Sequence, residues 1–229
     1  MLRQALAPIH PDGWRFIAIF VVASLILWWL ARPLGLLGAI ATAWCVYFFR
    51  DPWRVTPLRG GLAVAPADGR IVAVGPAPPP PELEMGSLPM LRIGIFLSIF
   101  DVHVNRVPMA GRVTRCVYHP GKFLNASLDK AGDENERMAI RLATQEGADI
   151  ALVQIAGLIA RRIVTSVTAG QEVIAGERCG LIRFGSRTDV YLPAAWPPLV
   201  VVGQRAVGGE TVLADARARE EQPRQGTEH

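Results

Sequence analysis

The chain reads as a mainly β protein of the α+β type: a compact barrel- or sandwich-like domain of short strands with an apolar helical hairpin at its N-terminus. Three observations point there. The chain opens on two apolar runs of helix length. After Arg59 the texture changes to short β-rich runs punctuated by Gly, Pro and Asp. The chain has 229 residues, 51% of them hydrophobic, which suffices for one sizeable core and a smaller appendage. The expected division is a membrane-associated hairpin over 1–59, a β-rich domain over 60–213 and a charged, disordered tail over 214–229.

The two apolar runs are Phe16 to Ala31 and Pro33 to Phe49, 16 and 17 residues long, separated by Arg32. Each falls short of the roughly 20 residues that span a bilayer core, so shallow or re-entrant insertion competes with full spanning. Trp28, Trp29, Trp44 and Tyr47 suit the interface. Arg3 and Arg15 precede the first run, and Arg50, Arg54 and Arg59 follow the second, which puts both ends on the cytoplasmic side. A cleaved signal peptide with Ala41 to Ala43 as its site would have too long an apolar stretch. A buried soluble hairpin is the remaining alternative.

Strands are expected at Arg70 to Val74, Leu91 to Ser98, Arg112 to Tyr118, Met138 to Ala143, Ile150 to Ile155 and Arg161 to Val167. Three more follow at Thr188 to Leu192, Pro198 to Val202 and Thr211 to Leu213. Pro76 and Pro78 to Pro81 read as an extended surface loop, and Asn125 to Asn135 as a loop or short helix.

Composition excludes several chemistries. A net charge of +4, from 24 basic and 20 acidic residues spread along the chain, gives no footprint for nucleic acid but allows an anionic lipid surface. Only Lys122 and Lys130 are lysines, so a Schiff-base lysine has just two candidates. Cys45, Cys116 and Cys179 suggest neither disulfides nor a zinc site, and the four histidines have no metal-binding spacing, so no metal is expected.

Four tracts could carry chemistry. Asp68 lies in Pro66-Ala67-Asp68-Gly69, a composition that makes turns by itself. In Phe96 to Pro108, strand alternation would place Asp101, His103 and Asn105 on one side, and a neutral His103 could take or give a proton. In Tyr118 to Ala126, followed by Glu134 to Arg137, the side chains of His119, Lys122 and Arg137 could hold a phosphate or could be a solvated loop.

The fourth tract, Arg183-Phe184-Gly185-Ser186-Arg187-Thr188-Asp189-Val190, places a Gly-Ser pair at a bend between strand-like runs. A polar hairpin turn has this composition. So does a self-cleavage site, where the Ser186 hydroxyl attacks the Gly185 carbonyl to give an ester, and elimination then leaves a pyruvoyl group at position 186.

Taken in order, the run ending Phe48-Phe49-Arg50-Asp51-Pro52, the Pro-Ala-Asp-Gly turn, Phe96-Leu97-Ser98-Ile99-Phe100-Asp101-Val102-His103, the His119-Pro120-Gly121-Lys122-Phe123 loop, Glu134 to Arg137 and the Ser186 tract resemble the short bacterial form of the phosphatidylserine decarboxylase family. The resemblance covers nearly the whole chain. It implies a proenzyme cut between Gly185 and Ser186 into chains of 1–185 and 186–229 that associate as a heterodimer or a higher oligomer. Ser186 becomes a covalent pyruvoyl cofactor, with no pyridoxal phosphate and no metal. The implied reaction is a carboxy-lyase reaction through a Schiff base, turning bilayer phosphatidylserine into phosphatidylethanolamine and carbon dioxide at the cytoplasmic face of the inner membrane. Catalysis is expected from Ser186, His103 and Asp68, with headgroup contacts from Lys122, Arg137 and His119. Longer members have a second histidine where Arg106 stands, so the base for self-cleavage is open. Three other readings stay open: a decarboxylase of another phospho-linked serine lipid, a membrane-tethered β-sandwich binding module, and a serine hydrolase. The hydrolase would lack a G-x-S-x-G elbow.

Overall fold

The computed structural model describes residues 7–122, 134–157, 162–183, 185–220, 224 and 226. Two helices open it, α1 (Gly13–Leu30) and α2 (Arg32–Phe48). Ala31 between them is extended, and Pro33 sits in the first turn of α2, where its missing N–H costs nothing. The helices meet over small residues. A Cβ on Gly35 would lie 2.6 Å from Trp28, and one on Gly38 would lie 2.7 Å from the Ser24 hydroxyl. Ser24 also shares a 3.0 Å hydrogen bond with Thr42. Trp29, Leu25 and Ile40 are exposed on the outer faces, and α1 is apolar and long enough to cross a membrane by length and composition.

Thirteen strands follow in the described residues: β1 (Leu62–Val64), β2 (Gly69–Ala77), β3 (Met90–Leu97), β4 (Val104–Arg106), β5 (Gly111–His119), β6 (Arg137–Thr144), β7 (Asp149–Ala156), β8 (Ile163–Thr165), β9 (Glu172–Val173), β10 (Arg178–Ile182), β11 (Ser186–Leu192), β12 (Arg205–Ala206) and β13 (Val212–Asp215). Eight of them form a curled sheet in the order β12-β2-β3-β11-β7-β6-β5-β9. A three-stranded sheet β4-β10-β8 and the pair β1-β13 complete the β structure. The fold is the expected mainly β domain with an apolar helical hairpin.

The two faces of the large sheet bury different things. Ile71, Ile93, Ile95, Ile140, Leu142, Ile150, Leu152, Val190 and Leu192 form the main core on one face. Ala139, Ala151, Val153, Ile155 and Tyr191 lie on the other, covered by Leu83 from a short 3-10 turn at Pro81–Leu83. Strand alternation then puts Ser186 and Thr188 on the core side and Arg187 and Asp189 on the opposite side.

Several local expectations change. Pro76 lies inside β2, opposite Leu91, rather than in a loop. β12 pairs only with Gly69 and Arg70, so the β2 edge at Pro76 needs no N–H donor. Pro79 and Pro80 are buried rather than surface residues. Pro198 to Val202 makes one isolated bridge, Pro198 to Ala214, and no strand. β13 runs through Asp215, two residues into the stretch expected as tail. Phe96 to Pro108 is not one strand: β3 ends at Leu97, and β4 resumes at Val104 in another sheet. The Asn125 to Asn135 expectation lies outside the described residues up to 133.

Candidate active site

Ser186 is the first residue of β11, a central strand, paired across to Leu97 on β3 and Ala156 on β7. Gly185 before it has φ of +63°, a backbone region that a side chain disfavours. The chain therefore turns at Gly185 and enters the sheet at Ser186. Ser186 is fully buried, and among the described residues its hydroxyl has no hydrogen-bond partner. An orphaned buried hydroxyl costs on the order of 1–3 kcal/mol, and such costs mark sites kept for chemistry.

His103 meets the same turn. Its Nε2 accepts a hydrogen bond from the Gly185 amide at 3.3 Å, and its Nδ1 lies 3.0 Å from the Asp101 carbonyl oxygen. That pattern places the proton on Nδ1 and the lone pair on Nε2, toward Gly185. Burial holds the imidazole pKa down to about 4, against the upward pull of the Asp101 carbonyl. His103 is thus neutral at pH 7 and able to accept a proton. The Phe48 ring, from the last residue of α2, packs 4.3 Å from the imidazole. Around them Phe49, Ile17, Val102, Val104 and Leu181 form a small core that joins hairpin to site.

A chain of amides backs the site. The Thr165 hydroxyl donates to Gln154 Oε1 at 2.9 Å, and Gln154 Nε2 donates to Asn105 Oδ1 at 2.8 Å. Gln154 stands opposite Thr188 in the sheet. Gly180 makes room for it, since a Cβ there would lie 2.9 Å from Gln154 Nε2. Among the described residues the buried Asn105 Nδ2 and Thr188 Oγ1 have no partner, like Ser186 Oγ.

Asp68 is not bonded to this group. It accepts from Arg54 Nη2 at 2.7 Å and from the Gly208 amide at 2.8 Å. Burial raises its pKa, Arg54 opposes that, and the Asp101 charge adds to the rise. Asp101 itself accepts from the Ser98 amide and hydroxyl at 2.8 Å and from Arg205. The PADG turn is fixed sterically, because a Cβ at Gly69 would fall 2.1 Å from the Phe96 carbonyl oxygen. Arg106 donates to the carbonyls of Gly176 and Pro52 and lies 3.5 Å from Asp51.

The three expected headgroup residues are dispersed. Arg137 is buried on the sheet face opposite Ser186 and binds Glu82 through Nε at 2.6 Å and Nη2 at 3.2 Å. His119 is exposed at the end of β5. Lys122 is exposed and pairs with Glu134 at 3.0 Å. Its bridge partner Asn135 donates to the carbonyl of Ala156, the residue opposite Ser186.

The family model for phosphatidylserine decarboxylase matches residues 41–214. The chain belongs to the phosphatidylserine decarboxylase family. Similar relatives carry the name phosphatidylserine decarboxylase proenzyme. That of Nitrobacter winogradskyi is 57% identical over 93% of this chain and 87% of its own length. That of Paramagnetospirillum magneticum is 54% identical over 93% and 89%, and that of Cereibacter sphaeroides 54% identical over 96% and 95%.

Within this phosphatidylserine decarboxylase fold the sequence motifs converge only in part. Ser186, Gly185 and His103 come together, while Asp68 sits in a neighbouring ionic cluster. Reading the sequence alone passes over Phe48 as a cover for His103, and over Gln154, Thr165 and Thr188. A signal for Gln154 exists: it is a polar residue at an inward position of a largely apolar strand, whereas Thr188 stands in the polar first half of β11. Phe48 stands in the Phe48 to Pro52 motif, but nothing local marks it as the cover of His103.

Proposed function

We propose that this decarboxylase is made as a proenzyme that cuts itself between Gly185 and Ser186, and that its pyruvoyl form converts phosphatidylserine to phosphatidylethanolamine at a membrane surface. One observation carries the reading. An uncommitted, buried Ser186 hydroxyl follows a left-handed Gly185 whose amide is held by a neutral imidazole.

The cleavage balances without an outside reagent other than water. Ser186 Oγ attacks the Gly185 carbonyl carbon and passes its proton to the neutral imidazole of His103. The peptide C–N bond breaks, the amine of residue 186 takes the proton, and an ester joins Gly185 to Ser186. Loss of the α-proton then breaks the Oγ–Cβ bond, releasing the Gly185 carboxylate and leaving dehydroalanine. Its imine tautomer takes up water and loses ammonia. Ser186, buried at the start of a central strand and two residues from the buried Thr188 hydroxyl, which has no partner among the described residues, fits such a group.

The pyruvoyl group supplies an electrophilic carbonyl and an electron sink that ordinary side chains lack. The chain's own part is to exclude water around His103 through the small core of Phe48, Val104 and Leu181, and to take up and return a proton at His103 Nε2. Asp68 tunes the local field through the Arg54 and Asp101 cluster. The apolar hairpin would anchor the domain on the cytoplasmic face of the inner membrane, where both headgroup and acyl chains are within reach. After cleavage the two chains would stay together, because β11 of the smaller chain lies between β3 and β7 of the larger one. Phosphatidylserine is favoured over another phospho-linked serine lipid by the names of the relatives alone.

Intact-mass measurement tests this. The wild type should give two pieces, 1–185 and 186–229, the second blocked by a pyruvoyl group. Ser186→Ala should remain one chain of 24.9 kDa that releases no carbon dioxide. An uncut, active wild type would overturn the reading.

A further inference from the structure

At the foot of the hairpin, where α1 leaves the β domain, lies a cleft of about 400 Å³, within the usual range for small-ligand sites. We propose that this cleft seats the phosphodiester of the lipid substrate, through Arg15, Arg162 and Arg183. The proposal rests on the reading that residue 186 is the reactive centre.

Charge is the first ground. Three guanidinium groups line the cleft against one carboxylate, that of Asp12, leaving an excess of two positive charges. Asp12 lies 3.7 Å from Arg15 and 3.2 Å from Arg183, so it orients both without neutralising the set. The second ground is the setting of Arg183. It is largely buried, held by Asp12 and stacked 5.1 Å over the Phe16 ring, and among the described residues its buried Nε has no partner. A guanidinium fixed in this way on the cleft wall is suited to a phosphate oxygen.

Position is the third ground. Arg183 precedes Gly185 by two residues, and its amide donates to the Arg162 carbonyl at 3.3 Å. Thr165, on the cleft wall, starts the hydrogen-bonded chain that leads through Gln154 to Asn105. The cleft thus adjoins the reactive segment. Arg15 lies in the first turn of α1, so the cleft sits at the end of the apolar hairpin nearest the domain, the level a bilayer's phosphates would occupy. By contrast Arg137 is committed to Glu82 and Lys122 to Glu134.

The rival anion is the Gly185 carboxylate freed by cleavage, and the assay separates the two. Processed wild type, Arg15→Gln and Arg162→Gln are compared on phosphatidylserine at low mole fraction in neutral detergent micelles. The expected result is a KM raised about tenfold, the scale of one lost charge-assisted hydrogen bond, with kcat and self-cleavage within twofold. Inhibition by glycerophosphoethanolamine, a soluble phosphodiester, should weaken in parallel, and Arg162→Lys should recover part of it. Borohydride trapping of ethanolamine, which has no phosphate, should be unchanged. Unaltered KM and inhibition in both variants would overturn the proposal, as would an equal loss of ethanolamine trapping. A wild type with no pyruvoyl terminus would instead overturn the functional reading on which it rests.

Discussion

The ring of Phe48, the last residue of the apolar hairpin, lies 4.3 Å from the imidazole of His103, whose Nε2 in turn faces the Gly185 amide. Hairpin and Gly185 turn are therefore one packed unit. A side chain that ends an apolar helix also sets the position and the dryness of the imidazole.

Phe48→Ala should lower stability by about 3–5 kcal/mol, because it opens a cavity at a fully buried aromatic. It should also slow self-cleavage by roughly tenfold to a hundredfold, the scale of a reacting group displaced by about an ångström. Phe48→Leu, which keeps most of the volume, should fall in between. The fraction cut against time after synthesis, read on a denaturing gel, checks this. Wild-type cleavage in the alanine variant would remove Phe48 from the site.

Stability should depend on pH through His103. The folded pKa is about 4 against an ordinary 6.5, so between those values the unfolded chain binds a proton that the folded chain refuses. Stability from this group is intact above pH 6.5 and is lost as pH falls toward 4, by roughly 3 kcal/mol in all. In the uncut Ser186→Ala background, urea unfolding in detergent at pH 7 and pH 4.5 should show most of that loss. Adding His103→Gln should remove it. Equal losses in the two chains would mean that His103 is not held neutral by burial.

Arg187 and Asp189 form a bidentate pair at 2.6 and 2.8 Å, both 1% exposed, on the face of β11 away from Ser186. Gly94 opposite leaves the space, since a Cβ there would lie 3.0 Å from Asp189 Oδ1. Arg187→Met should cost about 3–5 kcal/mol by removing the bidentate partner of a buried carboxylate, while the double change with Asp189→Leu should cost much less. Thermal unfolding of the Ser186→Ala chain and its two derivatives measures the difference. Additive losses would show that the residues act separately.

Much of the fold was legible in the chain. The apolar runs around Arg32 become α1 and α2 within a few residues, and the strands from Leu91, Arg112, Met138, Ile150 and Thr188 appear in place. These have enough residues of one period for the pattern to show. The short strands β1, β4, β9 and β12 span two or three residues each, too few to show a period, and only their sheet partners hold them extended. Pro76 misled because a proline argues against a strand only where its N–H would be needed.

The site divides along the same line. Gly185 and Ser186 are neighbours in the chain, so a glycine turn ahead of a serine hydroxyl is a local property that sequence by itself determines, and the motif set around them determines the family. Which groups face that hydroxyl is a matter of long-range packing. His103, Phe48 and Gln154 reach the turn from three separate segments, and Arg15, Arg162 and Arg183 enclose one cleft although the first and last are far apart in the chain. Asp68, prominent in its turn, is drawn aside by Arg54. Only the tertiary structure decided these contacts, because burial and charge pairing act between segments with no fixed spacing along the chain.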